Sequence, residues 1–265
     1  MSVRILGCGT STGVPKIGND WGRCDPAEPR NHRLRSSILL DSGGETLLVD
    51  CGPDLRRQLL RAAVGRVDAV LVTHDHADHC HGIDDLRPLA QALGGPLPLH
   101  ARDHVLERLR TRFAYAFVQA GFYPPVVEPV AIGEELRVGT ATLTFVDQPH
   151  GKITSLGMRI EQDGFSIVYA IDFNDMTDAM AALYEGADVM IADCLTRQPH
   201  PTHAHLDAVV GWARDLSVGQ LYLTHMGNGL DYATLVAELP DWAAPAHDGL
   251  EIGGPEIGGL GIGAP

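Results

Sequence analysis

The chain has 265 residues, enough for one large domain or two small ones with a substantial buried core. Its net charge of −14, with histidine counted as neutral, argues against non-specific binding to polyanions, so no nucleic acid is expected as a partner. The chain has five cysteines and no C-x-x-C motif, so we expect no disulfide framework. Because its start is unlike a signal peptide and no apolar run approaches about 20 residues, we expect a cytoplasmic protein without a membrane partner.

The predicted elements alternate between strands and helices. A first strand ends in a Gly-rich turn, and a loop rich in Gly, Pro and Asp follows over residues 9–35; loops of this length are usually functional. A strand pair, a helix interrupted early by Pro88 and one amphipathic helix over residues 103–120 precede a second run of strands and helices. We interpret the chain as one mixed α/β layered domain over residues 1–265, with a Gly-rich tail over 253–265 that we expect to be mobile.

The stretch "VLVTHDHADHCHG" places four histidines and two aspartates directly after an apolar strand. His and Asp are good ligands for borderline divalent cations such as zinc. His74 and His76 share one side of an extended segment, whereas Asp78 and His79 come as a tight turn begins, so one ion cannot easily take all four. The alternative is a solvated polar loop, but four histidines in eight positions favour a site for two ions.

Two ions need more ligands, and three later residues also follow apolar strands. They are His150 in "FVDQPHG", Asp172 in "IVYAIDF" and His225 in "LYLTHMG". An unpaired carboxylate at the end of a buried strand is costly, although Asp172 is also a candidate helix N-cap. Each histidine alone would be better interpreted as a core residue. Together the three complete a binuclear centre.

The segment "THDHADH" matches the T-H-x-H-x-D-H signature of the metallo-β-lactamase superfamily, and the order of the later ligands also matches. This resemblance covers nearly the whole chain. It implies an αββα sandwich of two facing mixed sheets flanked by helices, with two divalent ions, zinc or manganese, at one edge. It further implies that His74, His76 and His150 hold the first ion, that Asp78, His79 and His225 hold the second, and that Asp172 bridges both.

Within the superfamily the chain most resembles the PhnP group of phosphoribosyl 1,2-cyclic phosphate phosphodiesterases, and more distantly tRNase Z. The similar segments are "GCGTSTGVP" with "PRNHRLRSS", "HGIDDLRPL", and "HPTHAHL" at His200 to Leu206. In the last segment these relatives keep a general acid or base, and His203 is the best match. His200 and His205 remain open as substitutes, and a His-rich surface loop is the non-catalytic alternative.

The sequence departs from both groups of relatives. Many PhnP-like proteins carry a cysteine cluster for a structural zinc in the early loop, but this loop has Cys24 alone, so Asp20, Trp21 and Asp25 are candidates to organise it. No basic Gly/Pro-rich arm of the tRNase Z kind is present. The same loop contains three arginines that could each form two hydrogen bonds to phosphate: Arg30, Arg33 and Arg35. For any single one of them, a solvated side chain or an ion pair is the better interpretation. Asp84 and Asp85 are candidate partners of metal-bound imidazoles or helix caps.

The implied function is a binuclear metal-dependent phosphodiesterase acting on a small cyclic or nucleotide-like phosphodiester. In this interpretation Asp78 orients the nucleophile while remaining a ligand, and His203 protonates the leaving group or supports the phosphate. The alternatives are a hydrolase of a non-phosphate ester, thioester or lactone on the same centre, a tRNase Z-like nuclease, or a non-catalytic metal-binding protein. Relatives suggest a homodimer.

Overall fold

The computed structural model describes residues 1–119 and 121–253, so the predicted tail lies outside the described residues from residue 254 onward. Within them the strands form two seven-stranded sheets. The first sheet contains β1 (Ser2–Gly7), β2 (Ser37–Ser42), β3 (Glu45–Val49), β4 (Ala69–Leu71), β5 (Leu97–Ala101), β6 (Val127–Ala131) and β14 (Glu251–Gly253), in the order β14-β1-β2-β3-β4-β5-β6. The second contains β7 (Glu135–Val138), β8 (Ala141–His150), β9 (Ile153–Gln162), β10 (Phe165–Ala170), β11 (Val189–Asp193), β12 (Gln220–Thr224) and β13 (Ala243–Pro245), in the order β13-β12-β11-β10-β9-β8-β7.

The helices cover the outer faces of the two sheets. They are α1 (Leu55–Arg61), α2 (Ala77–Cys80), α3 (Arg87–Leu93), α4 (Asp103–Arg112), α5 (Ala114–Phe117), α6 (Asp178–Tyr184), α7 (Leu206–Asp215) and α8 (Tyr232–Glu238), with 3₁₀ turns at Pro29–Asn31 and Ile83–Leu86. No helix among the described residues is both long and apolar enough to cross a membrane.

Two apolar cores hold the layers together. The larger core joins the facing sides of the sheets, with Ile38 and Leu47 of the first sheet and Met158 and Ile167 of the second, and extends to the helices on the second sheet. The smaller core packs the outer face of the first sheet, including Val70 and other residues fully removed from water, against α1, α3, α4 and α5. The predicted αββα sandwich is confirmed.

Two details of the predicted helices are wrong. Pro88 does not interrupt a helix; it occupies the first turn of α3, where a missing N–H costs no hydrogen bond. The single helix expected over residues 103–120 is broken at Phe113, whose φ of −120° and ψ of 38° lie outside helical values. Phe113 is partly buried against the smaller core, and this packing outweighs the helical periodicity of the sequence.

Strand direction determines where the polar groups meet. Strands β3 and β4 are parallel, as are β10, β11 and β12. Strand β8 is antiparallel to β9, which is antiparallel to β10, so β8 and β10 end at the same edge. The segment that follows β4 lies opposite the ends of the second sheet's strands, because His74 contacts Asp172 and His79 contacts His225. Parallel strands end in a crevice at their carboxyl edge, which is the usual place for a site in an open α/β sheet.

Candidate metal centre

The seven predicted ligands all converge at this edge, in two groups that share Asp172. One group is His74, His76, His150 and Asp172, and the other is Asp78, His79, Asp172 and His225; in each, one ligand atom per residue lies within 4.8 Å of the others. All except His76 are buried.

The two oxygens of the Asp172 carboxylate face different groups. Its Oδ2 lies 3.5 Å from Nε2 of both His74 and His150. Its Oδ1 lies 3.5 Å from Nε2 of His79 and 3.3 Å from Nε2 of His225. This geometry is that of a carboxylate between two cation sites, which is the arrangement that the resemblance implied for Asp172.

The donor atoms fit cations. The buried Nε2 atoms of His74 and His79 and the buried Oδ1 of Asp172 have no hydrogen-bond partner among the described residues. Buried polar atoms without partners are rare because their desolvation is not compensated. Imidazole nitrogens and carboxylate oxygens that converge in this way suit zinc and also manganese.

Burial and neighbouring charges shift the pKa values of the candidate ligands in different directions. Burial lowers the pKa of His74 well below its ordinary value. Burial also opposes protonation of His225, but the Asp172 carboxylate and hydrogen bonds to Asp193 and Asp78 outweigh it and raise the pKa of His225 to about 10. Burial raises the pKa of Asp172, and the charges of His225 and His79 outweigh it, so the pKa of Asp172 falls well below its usual range.

Asp50 orients two of the candidate ligands, His79 directly and His74 through Thr73, a role that the sequence did not predict. Its Oδ2 lies 2.7 Å from Nδ1 of His79, and its Oδ1 accepts hydrogen bonds from the backbone N–H and hydroxyl of Thr73. The Thr73 hydroxyl in turn lies 3.1 Å from Nδ1 of His74. These contacts leave Nε2 of both imidazoles directed at the centre.

Asp84 and Asp85, which the sequence offered as partners of the imidazoles, do not contact them. Asp84 accepts a hydrogen bond from the Tyr115 hydroxyl, and both lie in the first turn of the 3₁₀ segment Ile83–Leu86. Neither is among the polar partners of the ligating imidazoles.

His203 lies beside the ligands. Its Nδ1 lies 2.8 Å from Oδ2 of Asp193, and its ring stacks on His225 with 4.9 Å between centroids. Asp193 was also missed by the sequence argument. His200 and His205, the two other candidates, do not line the cavity at the centre. Of the three histidines, the structure places only His203 there.

Three residues of the centre have left-handed backbone conformations that non-glycine residues seldom adopt. Their φ values are 63° for Asp50, 49° for Asp172 and 54° for His225. Asp50 and His225 directly follow β3 and β12, and Asp172 comes two residues after the end of β10. Strained residues of this kind cluster at functional sites, where the surrounding structure holds them.

The arginines of the early loop do not reach the centre, so the suggestion that one of them binds phosphate there has no support. Arg30 pairs with Glu28, and Arg35 pairs with Asp54. Arg33 is buried, with 2% of its surface exposed. The one cationic side chain that lines the cavity among the described residues is Lys152, which the sequence argument passed over.

The other predictions about this loop fit its local contacts. The Asp20 carboxylate accepts from the backbone N–H of Gly22, that of Asp25 accepts from Ala27, and the Trp21 indole donates to Asn19. The Cys24 thiol lies 4.0 Å from a guanidinium nitrogen of Arg33 and 3.5 Å from the carbonyl oxygen of Leu230. Polar side chains and backbone groups therefore surround the single cysteine.

Comparison with known proteins agrees with this geometry. The model of the β-lactamase superfamily domain matches residues 45–226. The crystal structure of a diphosphatase from the PhnP family superposes with a TM-score of 0.86 and 34% identity, covering 95% of this chain and 96% of that one. The octanoyltransferase of Porphyromonas gingivalis is 30% identical over 259 residues, 93% of this chain and 50% of that protein. A ribonuclease Z of Kineococcus radiotolerans is 34% identical over 145 residues, 52% of this chain and 44% of that enzyme.

The chain spans about half the length of these two curated relatives. The superfamily model, in contrast, covers most of the chain and includes all seven candidate ligands, since it ends one residue after His225. The PhnP-family diphosphatase matches almost from end to end. The chain therefore has the metallo-β-lactamase fold and belongs to the β-lactamase superfamily, and within it to the PhnP-like branch.

Proposed function

We propose that the protein is a binuclear metal-dependent phosphodiesterase acting on a small phosphodiester. The observation that carries the proposal is the Asp172 carboxylate, whose two oxygens face two separate sets of ligands. Two neighbouring divalent ions would be held by these two sets, one by His74, His76 and His150 and the other by Asp78, His79 and His225. The cavity above the ligands has a volume of about 380 Å³, which suits a sugar phosphate or a nucleotide.

Bound divalent ions would lower the pKa of water and neutralise the charge on the phosphate. The chain's own groups perform the other tasks. Asp78 lines the cavity beside His79 and His225, with its Oδ2 3.3 Å and 3.4 Å from their Nε2 atoms, and there its carboxylate accepts a hydrogen bond from the attacking water. Asp193 holds the Nδ1 side of His203, so His203 exchanges its proton with the leaving oxygen at Nε2.

The test is hydrolysis by protein whose metal content has been measured. We expect turnover of bis(p-nitrophenyl) phosphate and of cyclic phosphodiesters, including phosphoribosyl 1,2-cyclic phosphate, with about two metal ions per chain. Asp172→Asn should lower the rate by at least about 10²-fold, because the carboxylate no longer offers two charged oxygens. Asp175→Asn is the matched control, since Asp175 is exposed three residues away and is not one of the ligands.

Two results would contradict the proposal. One is two bound metal ions with turnover of thioesters, lactones or carboxylic esters and none of phosphodiesters. This result would favour the alternative function, a hydrolase of non-phosphate esters, thioesters or lactones on the same centre. The other is equal activity of the Asp172→Asn variant and the Asp175→Asn control, which would remove Asp172 from the centre.

A further inference from the structure

The imidazoles of the candidate metal centre are not all held in the same way. Four of them have an oxygen atom within 3.5 Å of Nδ1, and these oxygens belong to Thr73 beside His74, Asp50 beside His79, Thr202 beside His150 and Asp193 beside His225. Each contact leaves Nε2 free for a cation. His76 differs, because no oxygen atom of the described residues accepts a hydrogen bond from it. Its one polar contact joins Nδ1 to Nε2 of His150, itself a candidate ligand, at 3.2 Å.

Asp75 lies between two candidate ligands in the sequence, and its side chain points away from them. The backbone of His76 is extended, with a φ of −68° and a ψ of 151°. Alternate side chains of an extended segment point to opposite sides, so His74 and His76 face the centre while Asp75 faces α4. The Asp75 side chain is only 5% exposed. A carboxylate so far removed from water needs charged or hydrogen-bonding partners.

Two arginines of α4 supply these partners. Arg108 donates to Oδ1 of Asp75 at 2.9 Å, and Arg112 donates both to Oδ2 and to the backbone carbonyl oxygen of Asp75. The two arginines are four residues apart, so they lie on one face of the helix. The Cys80 thiol donates to the carbonyl oxygen of His76 at 3.1 Å. The backbone between the two ligands is therefore fixed from outside the centre, by a helix that contributes no candidate ligand.

We propose that Arg108 and Arg112 are positioning residues, which act through Asp75 to direct His76 at the first ion. Because no other group orients the His76 imidazole, its direction depends on the backbone that carries it, and the two guanidinium groups fix that backbone. The second ion depends on them less, since carboxylates contact both of its histidines. The inference rests on the binuclear centre of the proposed function and not on the identity of the substrate.

The experiment titrates zinc into the chelator-treated full chain and measures the affinity of each bound ion by calorimetry. In the double variant Arg108→Met/Arg112→Met, we expect the affinity of one ion to fall on the order of ten- to a hundred-fold, the loss typical of removing a group that orients a ligand. The affinity of the other ion should stay unchanged. Arg110→Met is the matched control on the same helix, because Arg110 is exposed and does not contact Asp75, and it should keep both affinities.

Two further comparisons identify the ion and the contacts. His76→Gln removes a ligand of the first ion, so adding the arginine substitutions to it should not weaken the binding of the remaining ion. Arg108→Lys should restore most of the affinity lost in Arg108→Met, since an ammonium can replace its single contact with the carboxylate. Arg112→Lys should restore less of the loss in Arg112→Met, because Arg112 also donates to a backbone carbonyl oxygen.

Equal losses of affinity for both ions would indicate a general loosening of the fold and overturn the inference, as would losses no larger than in Arg110→Met. If circular dichroism shows that the double variant does not fold, Arg108→Met alone, which removes a single contact, is judged by the same two criteria. A wild type that binds two ions but hydrolyses no phosphodiester overturns the proposed function alone, and the titration still decides the role of the arginines. A wild type that binds fewer than two ions contradicts both proposals.

Discussion

His203 contacts the Asp193 carboxylate through its Nδ1 atom and the rings of two candidate ligands, His150 and His225. Asp193 Oδ2 lies 2.8 Å from its Nδ1, and the rings of His225 and His150 lie 4.9 Å and 4.8 Å from its ring, centroid to centroid. A histidine held at Nδ1 by a carboxylate has a fixed orientation and uses Nε2 for proton transfer. The same aspartate lies 3.5 Å from Nδ1 of His225, so it orients both a candidate ligand and the candidate acid.

We predict that His203→Gln lowers kcat by about 10²–10⁴-fold on an alkyl or ribose cyclic phosphodiester, whose alkoxide must be protonated as it leaves. On bis(p-nitrophenyl) phosphate the loss should be much smaller, because p-nitrophenolate leaves without a proton. Steady-state kinetics on both substrates measures the difference. His200→Gln is the matched control, since His200 lies near the same loop but does not line the cavity. Equal losses on both substrates would show that His203 does not act as an acid.

Residues that follow apolar strands were partly predictable. Asp172 in "IVYAIDF" was selected because a carboxylate after a buried strand is costly, and the structure places it between the ligand groups. Asp50 in "LLVDCG" and Asp193 in "MIADC" have the same sequence context and were missed. The sequence signals that such an aspartate has a partner, but only the packing of the strands shows which imidazole it reaches. Lys152 is a single charge without any pattern, so sequence reasoning had no means to select it.

At the scale of elements, the early loop is fixed by a buried guanidinium. Arg33 donates to the carbonyl oxygen of Leu230 at 2.7 Å, to that of Gly227 at 3.2 Å, and to the Asn31 side chain at 3.1 Å. It thereby ties the loop after β1 to the segment that follows His225. Sequence reasoning treated Arg33 as one of three similar loop arginines, because burial and partners across about 200 residues do not appear in local sequence.

We predict that Arg33→Met lowers the free energy of unfolding by roughly 2–5 kcal/mol, since it removes three buried hydrogen bonds of the guanidinium, to the carbonyl oxygens of Leu230 and Gly227 and to the Asn31 side chain. Urea denaturation measures the change. Arg30→Met in the same loop is the control. The Arg30 side chain is 48% exposed and its pair with Glu28 is a surface ion pair, so its removal should cost about 0–1 kcal/mol. A loss in Arg33→Met no greater than in the control would show that the guanidinium does not fix the loop.

Element existence was more predictable than element ends. The alternation of strands with helices predicted the layered sandwich, because each apolar strand must bury both faces between layers. The break at Phe113 between α4 and α5 and the start of α3 at Arg87, with Pro88 in its first turn, depend on packing and capping, which periodicity does not report.

At the scale of the whole molecule, we expect the candidate ligands to make stability depend on both metal and pH. Carboxylates raise the pKa of His79 well above its ordinary value, although burial opposes this, and they raise the pKa of His225 to about 10. A histidine whose pKa is higher in the folded state stabilises the fold fully below its unfolded pKa of about 6.5, and this contribution is lost as the pH rises through the folded pKa. Bound metal ions require neutral imidazoles, so metal binding displaces these protons.

We therefore predict opposite pH trends for the two forms of the protein. The unfolding temperature of chelator-treated protein should fall from about pH 6.5 towards about pH 9, because His225 and His79 lose protons that the folded state binds more tightly. The additional stability from zinc or manganese should grow over the same range, because fewer protons compete with the metal for the ligands. Differential scanning calorimetry with and without metal measures both trends. In chelator-treated His225→Gln the unfolding temperature should fall less over this pH range than in the wild type. If it falls by the same amount in both, the pH dependence comes from groups outside the centre.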